Sequence, residues 1–407
     1  MINFEESQRL LSLHVKQGPI LELPLLDTLG LALAKPISAR ADSPRFNSTS
    51  VDGYAISLAD FANSLPVTLP IVETINAGAR SSQSLKSRSA MRILTGAPVP
   101  KGADAVVMQE HVTVSGSYVT FTTTPKASAN IRYRGAELKR GARLFEPGTI
   151  ITPSVAQALA ACGYAKVRVH KRPTVTIIVT GDELRTPGTG LKSGEIWDSN
   201  TTGLNAALSA LGITDVRTHH VSDNLRSTTK AVRTALERSD VVIATGGVSV
   251  GDRDFVKEAF AANGVRELFW RVSLKPGKPM FFGTKRQLGK RKYVFGLPGN
   301  PVSVMVTYQL LVRRALLRMM GQADIDTTSH GILASTLKKS DPRTEFVRAY
   351  RDGMANGLPR VVPQTARDSH MTTGMAKADC LIVFPLEQTL LEAGAEVNIL
   401  PIIWVPY

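Results

Sequence analysis

The fold is decided by one stretch of sequence, DVVIATGGVSVGDRDFVKEAFAA, at residues 240–262. Its first part, Asp240–Ala244, is an apolar and β-branched run of the kind found in strands buried on both faces of a parallel sheet. A loop with three glycines follows at Thr245–Asp254, and Asp254–Ala262 has the apolar spacing of a helix. Ligands of open α/β sheets bind beyond the carboxyl ends of the strands, so this loop is a candidate binding site. Taken alone, however, a strand followed by a glycine-rich loop and a helix is also typical of an ordinary turn between a strand and a helix.

The surrounding sequence repeats the alternation of strand and helix. It predicts strands at Val175–Val179 and Asp215–Val221 and helices at Thr201–Leu211 and Leu225–Glu237, and a long helix at Asn300–Met320 closes the series. Alternation at this spacing is typical of βαβ units with a parallel sheet.

The flanking regions predict short strands instead of an alternation of strands and helices. Short strands bounded by Gly, Pro or Ser are predicted at Val67–Ile75, Met91–Leu94, Ala105–Gln109 and Tyr118–Thr122, and again after Gly331 at Phe346–Tyr350, Leu381–Phe384 and Val397–Val405. The stretch up to about Pro36 predicts one or two amphipathic helices interrupted at Pro24. The fold class is therefore α/β plus β: a parallel-sheet domain, a β-rich inserted domain and a C-terminal β-barrel or sandwich. The predicted domains are 1–47 with 139–172 (helical and linker), 48–138 (β-rich insertion), 173–328 (α/β) and 329–407 (β-barrel).

Composition limits the function. The 407 residues carry a formal net charge of +15, from 49 Lys and Arg against 34 Asp and Glu, which favours anionic ligands. The basic residues are scattered without a dense tail or a zinc-finger spacing, so nucleic acid is the weaker interpretation, and plain solubility is an alternative explanation for part of the charge. We expect no signal peptide, no membrane span and a cytoplasmic location. Cys162 and Cys380 are distant in sequence, and we expect both to be small buried residues.

Polar and charged residues accumulate where the predicted parallel strands end. The motif Thr180–Leu184 follows the first strand, and Gly194–Asn200 leads into a helix that Ser199 or Asn200 is placed to cap. Acidic side chains at such strand ends are suited to hold a ligand-bound cation; they are Glu183, Asp198, Asp223, Asp252 and Asp254. For any one of them, helix capping or solvent exposure is an equally good explanation.

Two further segments supply positive potential. The loop Lys275–Pro279 carries two lysines on a backbone fixed by two prolines and a glycine, although a solvated surface turn would look the same. Gly296–Ser303 opens a helix whose N-terminal N–H groups favour an anion. Together, the loops predict a pocket for a phosphate-bearing ligand accompanied by a divalent cation.

The ordered set of motifs resembles the MoeA-type molybdopterin molybdenumtransferases, whose module also occurs in gephyrin. Ser50–Ala55 is similar to the family's S-x-D-G-Y/F-A signature and Arg92–Pro98 to its R-I-x-T-G-A-P motif, and the resemblance spans essentially the whole chain. It implies a homodimer of four domains, one with the fold of the MogA-type adenylyltransferases. The implied reaction takes adenylylated molybdopterin and molybdate, uses Mg²⁺, and yields molybdenum cofactor and AMP. Molybdopterin adenylyltransferase and molybdoenzyme chaperones are the implied protein partners.

The resemblance also assigns residues. Catalytic positions are implied for Asp254, Glu183, Asp223, Asp52 and Thr95, the last two acting across the dimer interface. Metal binding is implied for Glu183, Asp254 and Glu137. Substrate-binding positions are Gly246, Gly247, Ser249, Gly251, Lys275, Lys278, Pro298, Pro301, Ser303, Arg343, Arg348 and Ser369, of which Lys275, Lys278 and Ser303 are the main molybdate candidates.

The sequence departs from the family pattern at two places. The usual R-x-G-E-D reads Arg134-Gly135-Ala136-Glu137, so a Glu stands where an Asp is expected. The region around Ser369 reads Arg367-Asp368-Ser369-His370 instead of the usual Gln-x-Ser-Gly-like pattern. His219 and His220 are neighbours on a predicted strand and point to opposite faces, so neither is assigned as a metal ligand.

Two other functions remain as alternatives. The 173–328 domain alone would suit a molybdopterin adenylyltransferase, and the whole chain would suit a non-catalytic pterin-binding scaffold. Molybdate-independent consumption of ATP would favour the first. Unchanged AMP release by an Asp254→Ala variant would favour the second.

Overall fold

The computed structural model describes residues 1–62, 65–247, 255–322, 327–365 and 368–404. These residues form two compact units. The first comprises residues 1–35, 147–156 and 166–407, and the second comprises residues 36–146 and 157–165.

The first unit is built on a six-stranded mixed sheet. Its strand order is Val216–Val221, Val175–Thr180, Val241–Thr245, Lys290–Leu297, Phe281–Gln287 and Arg266–Trp270. The first four strands are parallel, and the last two join antiparallel. The predicted parallel sheet is therefore confirmed over four strands, while the antiparallel extension was not predicted.

The two central parallel strands have the burial that their sequences predict. Every residue of Val175–Thr180 and Val241–Thr245 is buried, because helices cover both faces of the sheet. Leu225–Arg238 and Val256–Ala262 pack one face through Val232, Leu236 and Phe260. The β-branched side chains thus supply a core that fixes these strands side by side.

The connections of this sheet create a switch point. The chain leaves Val175–Thr180 for the strand on one side, Val216–Val221, and then crosses to the strand on the other side, Val241–Thr245. Where the strand order reverses in this way, the two outgoing loops separate and leave a crevice at the carboxyl edge.

A closed β-barrel follows the sheet in the same unit. Its five strands are Ser329–Leu333, Thr344–Ala355, Leu358–Pro363, Cys380–Phe384 and Glu396–Pro401. The ring closes because Thr344–Ala355 pairs with both Leu358–Pro363 and Cys380–Phe384. A short strand, Leu274–Lys275, joins the barrel parallel to Thr344–Ala355. The predicted C-terminal barrel is thereby confirmed.

The second unit contains another six-stranded sheet, as the short predicted strands indicated. Its order is Ala105–Met108, Gly53–Ile56, Ala90–Ile93, Val67–Ile75, Tyr118–Phe121 and Val112–Ser115. Two apolar clusters pack against it, one around Phe61 and Phe121 and the other around Met91 and Ile93.

The remaining elements are short. Two-stranded pairs join Ile20–Pro24 with Lys166–His170, Ser48–Thr49 with Ile131–Arg132, Ile37–Ser38 with Arg143–Phe145, Leu184–Arg185 with Ile196–Trp197, and Leu337–Lys338 with Leu390–Leu391. The α-helices not yet named are Phe4–His14, Pro153–Ala161, Ser199–Ala210, Pro301–Thr307, Arg313–Met319 and Thr372–Ala376. One-turn 3₁₀ helices lie at Leu25–Thr28, Leu58–Phe61 and Gln109–His111, and a π-helical turn at Tyr308–Val312 joins two of the α-helices.

The N-terminal prediction was wrong in its second half. Phe4–His14 is the helix expected there, but Ile20–Pro24 is a strand and not a second helix. The reason is a non-local partner, because this segment pairs antiparallel with Lys166–His170. Local apolar spacing could not reveal that pairing.

Two smaller expectations can be compared with the structure. Within the described residues, no helix is both long and apolar enough to cross a membrane. Cys380 is buried, and burial raises the pKa of its thiol to about 12. Cys162 is only half-buried, because it follows the last turn of the helix Pro153–Ala161.

The pairing of Gly53 gives a test of the second unit. A Cβ at Gly53 would lie 2.0 Å from the carbonyl oxygen of Val107 on the neighbouring strand. We expect Gly53→Ala to lower the free energy of unfolding by about 1–3 kcal/mol, because the strands must separate to admit the methyl group. Thermal unfolding measures the change. Gly190→Ala is the control, since a Cβ there meets no described atom within 4 Å; equal melting temperatures for the two variants would contradict the close pairing.

Candidate functional site

A pocket of about 560 Å³ lies at the carboxyl edge of the mixed sheet in the first unit. In chain order, the four parallel strands are Val175–Thr180 (first), Val216–Val221 (second), Val241–Thr245 (third) and Lys290–Leu297 (fourth). Residues at or just after the carboxyl end of each strand line the pocket. The lining includes Thr180, Gly181, Glu183 and Leu184 after the first strand, Asp223 after the second, Gly246 and Gly247 after the third, and Pro298, Gly299, Asn300 and Pro301 after the fourth, together with Ile196–Asn200, Pro279 and His370.

Two glycines allow the first and third strands to end this close together. A Cβ at Gly246 would lie 2.7 Å from the carbonyl oxygen of Thr180, and one at Gly247 would lie 2.9 Å from a methyl carbon of Val256. Both residues also have a positive φ, 83° and 62°, which disfavours other residues. Glycine is therefore required twice, for backbone conformation and for space.

The acidic side of the pocket is formed by Glu183, Asp223 and Asp198. The loops after the first two strands are joined directly, because the Asp223 N–H donates to Asp182 Oδ1 at 3.4 Å. Asp198 corrects one expectation: it is the cap of the helix Ser199–Ala210, accepting from the Thr201 N–H at 2.9 Å, in the role predicted for Ser199 or Asn200.

The second oxygen of the Asp198 carboxylate is unusual. Asp198 is only 2% exposed, and its Oδ2 atom has no hydrogen-bond partner among the described residues. The His220 ring lies nearby, with its Nε2 atom 3.6 Å from this oxygen. A buried carboxylate oxygen without a donor is costly unless a cation, a proton or a ligand compensates it.

A hydrogen-bonded chain holds the far wall of the pocket. Asn200 Nδ2 donates to the Gly299 carbonyl oxygen at 2.7 Å and to Thr245 Oγ1 at 3.1 Å, and Thr245 Oγ1 donates to the Pro298 carbonyl oxygen at 3.1 Å. The ends of the third and fourth strands are thereby tied to the start of one helix.

These carboxylates can be compared with what a divalent cation needs. Among the described residues, no group of three or more His, Cys, Asp or Glu side chains converges as a protein-only metal site requires. Mg²⁺, however, is commonly held by one or two carboxylates together with substrate phosphates and water. Glu183 and Asp223, which line the same pocket, are carboxylates of the kind that such a cation uses.

The predicted basic loop is anchored to the barrel. The strand Leu274–Lys275 pairs with Thr344–Ala355, and Lys275 Nζ lies 3.5 Å from Glu345 Oε1. Gly277 packs against the helix Pro301–Thr307, since a Cβ there would lie 2.3 Å from Thr307 Cγ2. Lys278 is exposed at the end of this loop, next to the pocket residue Pro279.

Arg343 and Arg348, which the family resemblance assigns to substrate binding, both form hydrogen bonds to groups within the protein. Arg343 forms a bidentate ion pair with Asp341, holding the pKa of that carboxyl below its ordinary value, and its Nη1 donates to the Leu274 carbonyl oxygen at 3.3 Å. Arg348 is 4% exposed and donates to the carbonyl oxygens of Met371 and Asp368. Both guanidinium groups thus position loops.

The loop held by Arg348 reaches the start of the helix Pro301–Thr307. Ser369 accepts twice there: its Oγ from Asn300 Nδ2 at 2.8 Å and its carbonyl oxygen from the Val302 N–H at 3.1 Å. Pro301 has no N–H and that of Val302 is used, so this N-terminus offers fewer donors to an anion than the sequence predicted. Ser303 is 4% exposed on the same helix.

The remaining assigned residues belong to the second unit. Asp52 Oδ1 accepts from the Thr95 N–H at 2.7 Å and from Thr95 Oγ1 at 2.6 Å. Both hydrogen bonds lower the pKa of the Asp52 carboxyl, and the one from the Thr95 hydroxyl has the larger effect. Glu137 Oε2 accepts from Ser43 Oγ at 2.6 Å, so the Glu in the departing motif is engaged locally.

Three assigned residues, Ser249, Gly251 and Asp254, lie outside the described residues. Trp197 and His370 are among the pocket residues that were not assigned from the sequence. The side chain of Trp197 lies on an exposed two-stranded ribbon, and its Nε1–H donates to the Thr189 carbonyl oxygen at 2.9 Å. A large aromatic residue within the polar Gly194–Asn200 motif was the available signal.

The Asp52–Thr95 pair has a measurable consequence. We expect Thr95→Val to raise the pKa of the Asp52 carboxyl, because the variant loses the hydroxyl donor and keeps the backbone donor. A depressed folded-state pKa gives stability that is present above the unfolded-state pKa and is lost as the pH falls through the folded-state pKa. The variant should therefore lose this stability at a higher pH than the wild type.

Carboxyl ¹³C NMR titration of Asp52 measures the pKa directly. Thr68→Val is the matched control, because Thr68 Oγ1 shares a hydrogen bond with the hydroxyl of Thr120 in the same unit. An unchanged Asp52 pKa in Thr95→Val would contradict the assigned cause.

Three family models together match most of the chain. Residues 2–163 match the MoeA N-terminal region (domain I and II), residues 176–318 a probable molybdopterin binding domain, and residues 330–402 the MoeA C-terminal region (domain IV).

Whole-chain comparisons agree with these models. The chain is 35% identical over 382 residues to the molybdopterin molybdenumtransferase of Haemophilus influenzae, covering 93% of each chain, and 34% identical over 401 residues to that of Staphylococcus epidermidis, covering 97% of this chain and 94% of the relative. The crystal structure of a molybdopterin biosynthesis MoeA protein from Pyrococcus horikoshii superimposes with a TM-score of 0.83 at 27% identity, covering 99% of both chains. The chain therefore belongs to the MoeA-type molybdopterin molybdenumtransferase family.

Proposed function

We propose that this chain transfers molybdenum from molybdate to adenylylated molybdopterin in a Mg²⁺-assisted reaction that releases AMP. One observation supports this assignment most directly. In a chain of this family, carboxylates from two strand ends and the Gly246–Gly247 backbone line one pocket at the switch point of the α/β sheet. Such a pocket suits a phosphate-bridged substrate with its cation.

The carboxylates have separate roles in this proposal. Glu183 and Asp223 would hold a cation that enters with the substrate, and Asp254, outside the described residues, would belong to the same set. When bound, Mg²⁺ neutralises charge that develops on the bridge as water cleaves its P–O bond. The cleavage leaves AMP on one side and the pterin phosphate on the other.

The backbone positions the bridge. Gly246 and Gly247 have no side chain between the phosphates and the strand end, so main-chain N–H groups can approach them. Asn200 maintains the width of this passage through its bonds to Gly299 and Thr245. A fixed passage lowers the entropic cost of aligning the reacting bond.

Molybdate binding is assigned to the basic loop. Lys275 and Lys278 provide cationic donors, with Ser303 and Ser369 as hydroxyl candidates, because a dianion requires several donors close together. Arg343 and Arg348 contribute by positioning, since each binds a carbonyl oxygen of a loop that carries one of these donors.

We further propose the assembly and location that the family resemblance implies. The chain forms a cytoplasmic homodimer, and Asp52 and Thr95 act on the substrate bound by the partner subunit. Its domains are 1–47 with 139–172, 48–138, 173–328 and 329–407. A molybdopterin adenylyltransferase supplies its substrate, and molybdoenzyme chaperones receive its product.

AMP release from adenylylated molybdopterin tests the reaction. The full chain should release AMP in a molybdate- and Mg²⁺-dependent manner, and the product should activate an apo-molybdoenzyme. We expect Glu183→Gln and Asp223→Asn each to lower kcat/KM by at least about 10-fold, because each removes a cation-binding carboxylate. Asp215→Asn is the control, because Asp215 precedes the strand whose other end leads to Asp223 and its half-exposed side chain forms an ion pair with Arg217.

The alternatives predict other outcomes. AMP release without molybdate dependence would overturn the proposal, and ATP consumption with molybdopterin would identify an adenylyltransferase. Equal activity of Asp223→Asn and Asp215→Asn would remove the carboxylate from the mechanism.

A further inference from the structure

A second cavity, of about 700 Å³, lies beside the strand-end pocket in the first unit. Its wall is predominantly apolar: it consists of Pro187, Gly188, Trp197, Gly203, Pro301, Val302, Met305, Met375, Ala376 and Trp404, with Ser199, Asn200, Thr202 and Thr372 as the polar members. The α/β sheet domain and the C-terminal barrel segment both contribute to it.

The two cavities adjoin each other. Trp197, Ser199, Asn200 and Pro301 line both of them. The cavity on one side of these shared residues contains carboxylates, and the cavity on the other side is apolar. A ligand that occupies both cavities must combine a charged part with an apolar part.

The chemistry of the apolar wall favours a flat aromatic group. Two tryptophans, Trp197 and Trp404, and two methionines, Met305 and Met375, face one space. Indole rings stack on heteroaromatic rings, and methionine sulfur packs favourably against aromatic edges. The hydroxyl groups of Ser199, Thr202 and Thr372 can form hydrogen bonds with the ring nitrogens. Ligand sites commonly combine a few polar groups of this kind with an apolar wall.

We propose that this apolar cavity binds a fused nitrogen-heteroaromatic ring of the substrate while the adjoining strand-end pocket holds its phosphates. The inference rests on the proposed function, since adenylylated molybdopterin carries such rings on both sides of its pyrophosphate bridge. Adenine and pterin share the required chemistry, and the experiment distinguishes them. Trp197 is then a substrate-binding residue, situated where ring and phosphate meet.

Free-ring binding to the full chain is the first measurement. AMP and 6-hydroxymethylpterin are titrated separately, with inorganic pyrophosphate as the ring-free probe. Two of the three tryptophans line the cavity, so at least one of the two ring compounds should quench the intrinsic fluorescence, and pyrophosphate should not. The compound that quenches identifies which ring the cavity takes. Absence of quenching by both, together with no binding heat in calorimetry, would overturn the inference.

A cavity-filling variant is the second measurement. Ala376→Trp places an indole ring in the apolar cavity from the helix Thr372–Ala376, and Thr373→Trp places one on the same helix outside the lining. We expect Ala376→Trp to weaken ring binding, measured by calorimetry, and to raise KM for AMP release by about 10-fold with kcat little changed, a loss within the range of one stacking contact. Thr373→Trp should match the wild type.

The two proposals fail in different ways. Wild-type AMP release with normal KM in Ala376→Trp would overturn the ring site and leave the proposed function standing. An inactive wild type that still binds a ring compound, weakened only by Ala376→Trp, would support the ring site and count against the reaction.

Discussion

The close approach of Gly246 to the Thr180 carbonyl oxygen is the contact on which the rest of the site depends. The first and third parallel strands run side by side and diverge just beyond this point, because their connections leave the sheet in opposite directions. With only a hydrogen atom on Gly246, the two strand ends stay close while the loops open around them. The other pocket residues lie on the strand ends and loops that surround this opening.

The barrel contributes to this site mainly through geometry. Arg343 and Arg348 use their donors on backbone carbonyl oxygens and on Asp341, so they fix the Leu274–Lys275 strand and the loop of Ser369. A lysine on a fixed strand loses less conformational entropy on binding an anion than one on a free loop. This arrangement explains why a cationic loop from one part of the chain is paired to a strand from another.

Sequence reasoning succeeded where burial imposes a strong pattern. Val241–Thr245 and Val175–Thr180 are covered on both faces, so their apolar runs predicted both the strands and the sheet, and the loops after them contained the pocket residues Glu183, Gly246 and Gly247. It failed where a partner lies far along the chain, as for Ile20–Pro24. It also misassigned a helix cap, because Asp198, Ser199 and Asn200 are all good N-cap residues and only the backbone conformation chooses among them.

The sequence by itself determined the alternation of strands and helices that builds the parallel sheet, the glycine positions at the strand ends and, through its ordered motifs, the family. These properties are local, since hydrophobic spacing and glycine's conformational freedom act over a few residues. The tertiary structure decided which charges remain available to a ligand. It engaged Arg343 and Arg348 with protein groups and buried one Asp198 oxygen that has no hydrogen-bond donor in the described part of the chain. It also set an apolar cavity against the carboxylate-rich pocket at Trp197, because pairing and burial depend on which distant segments meet.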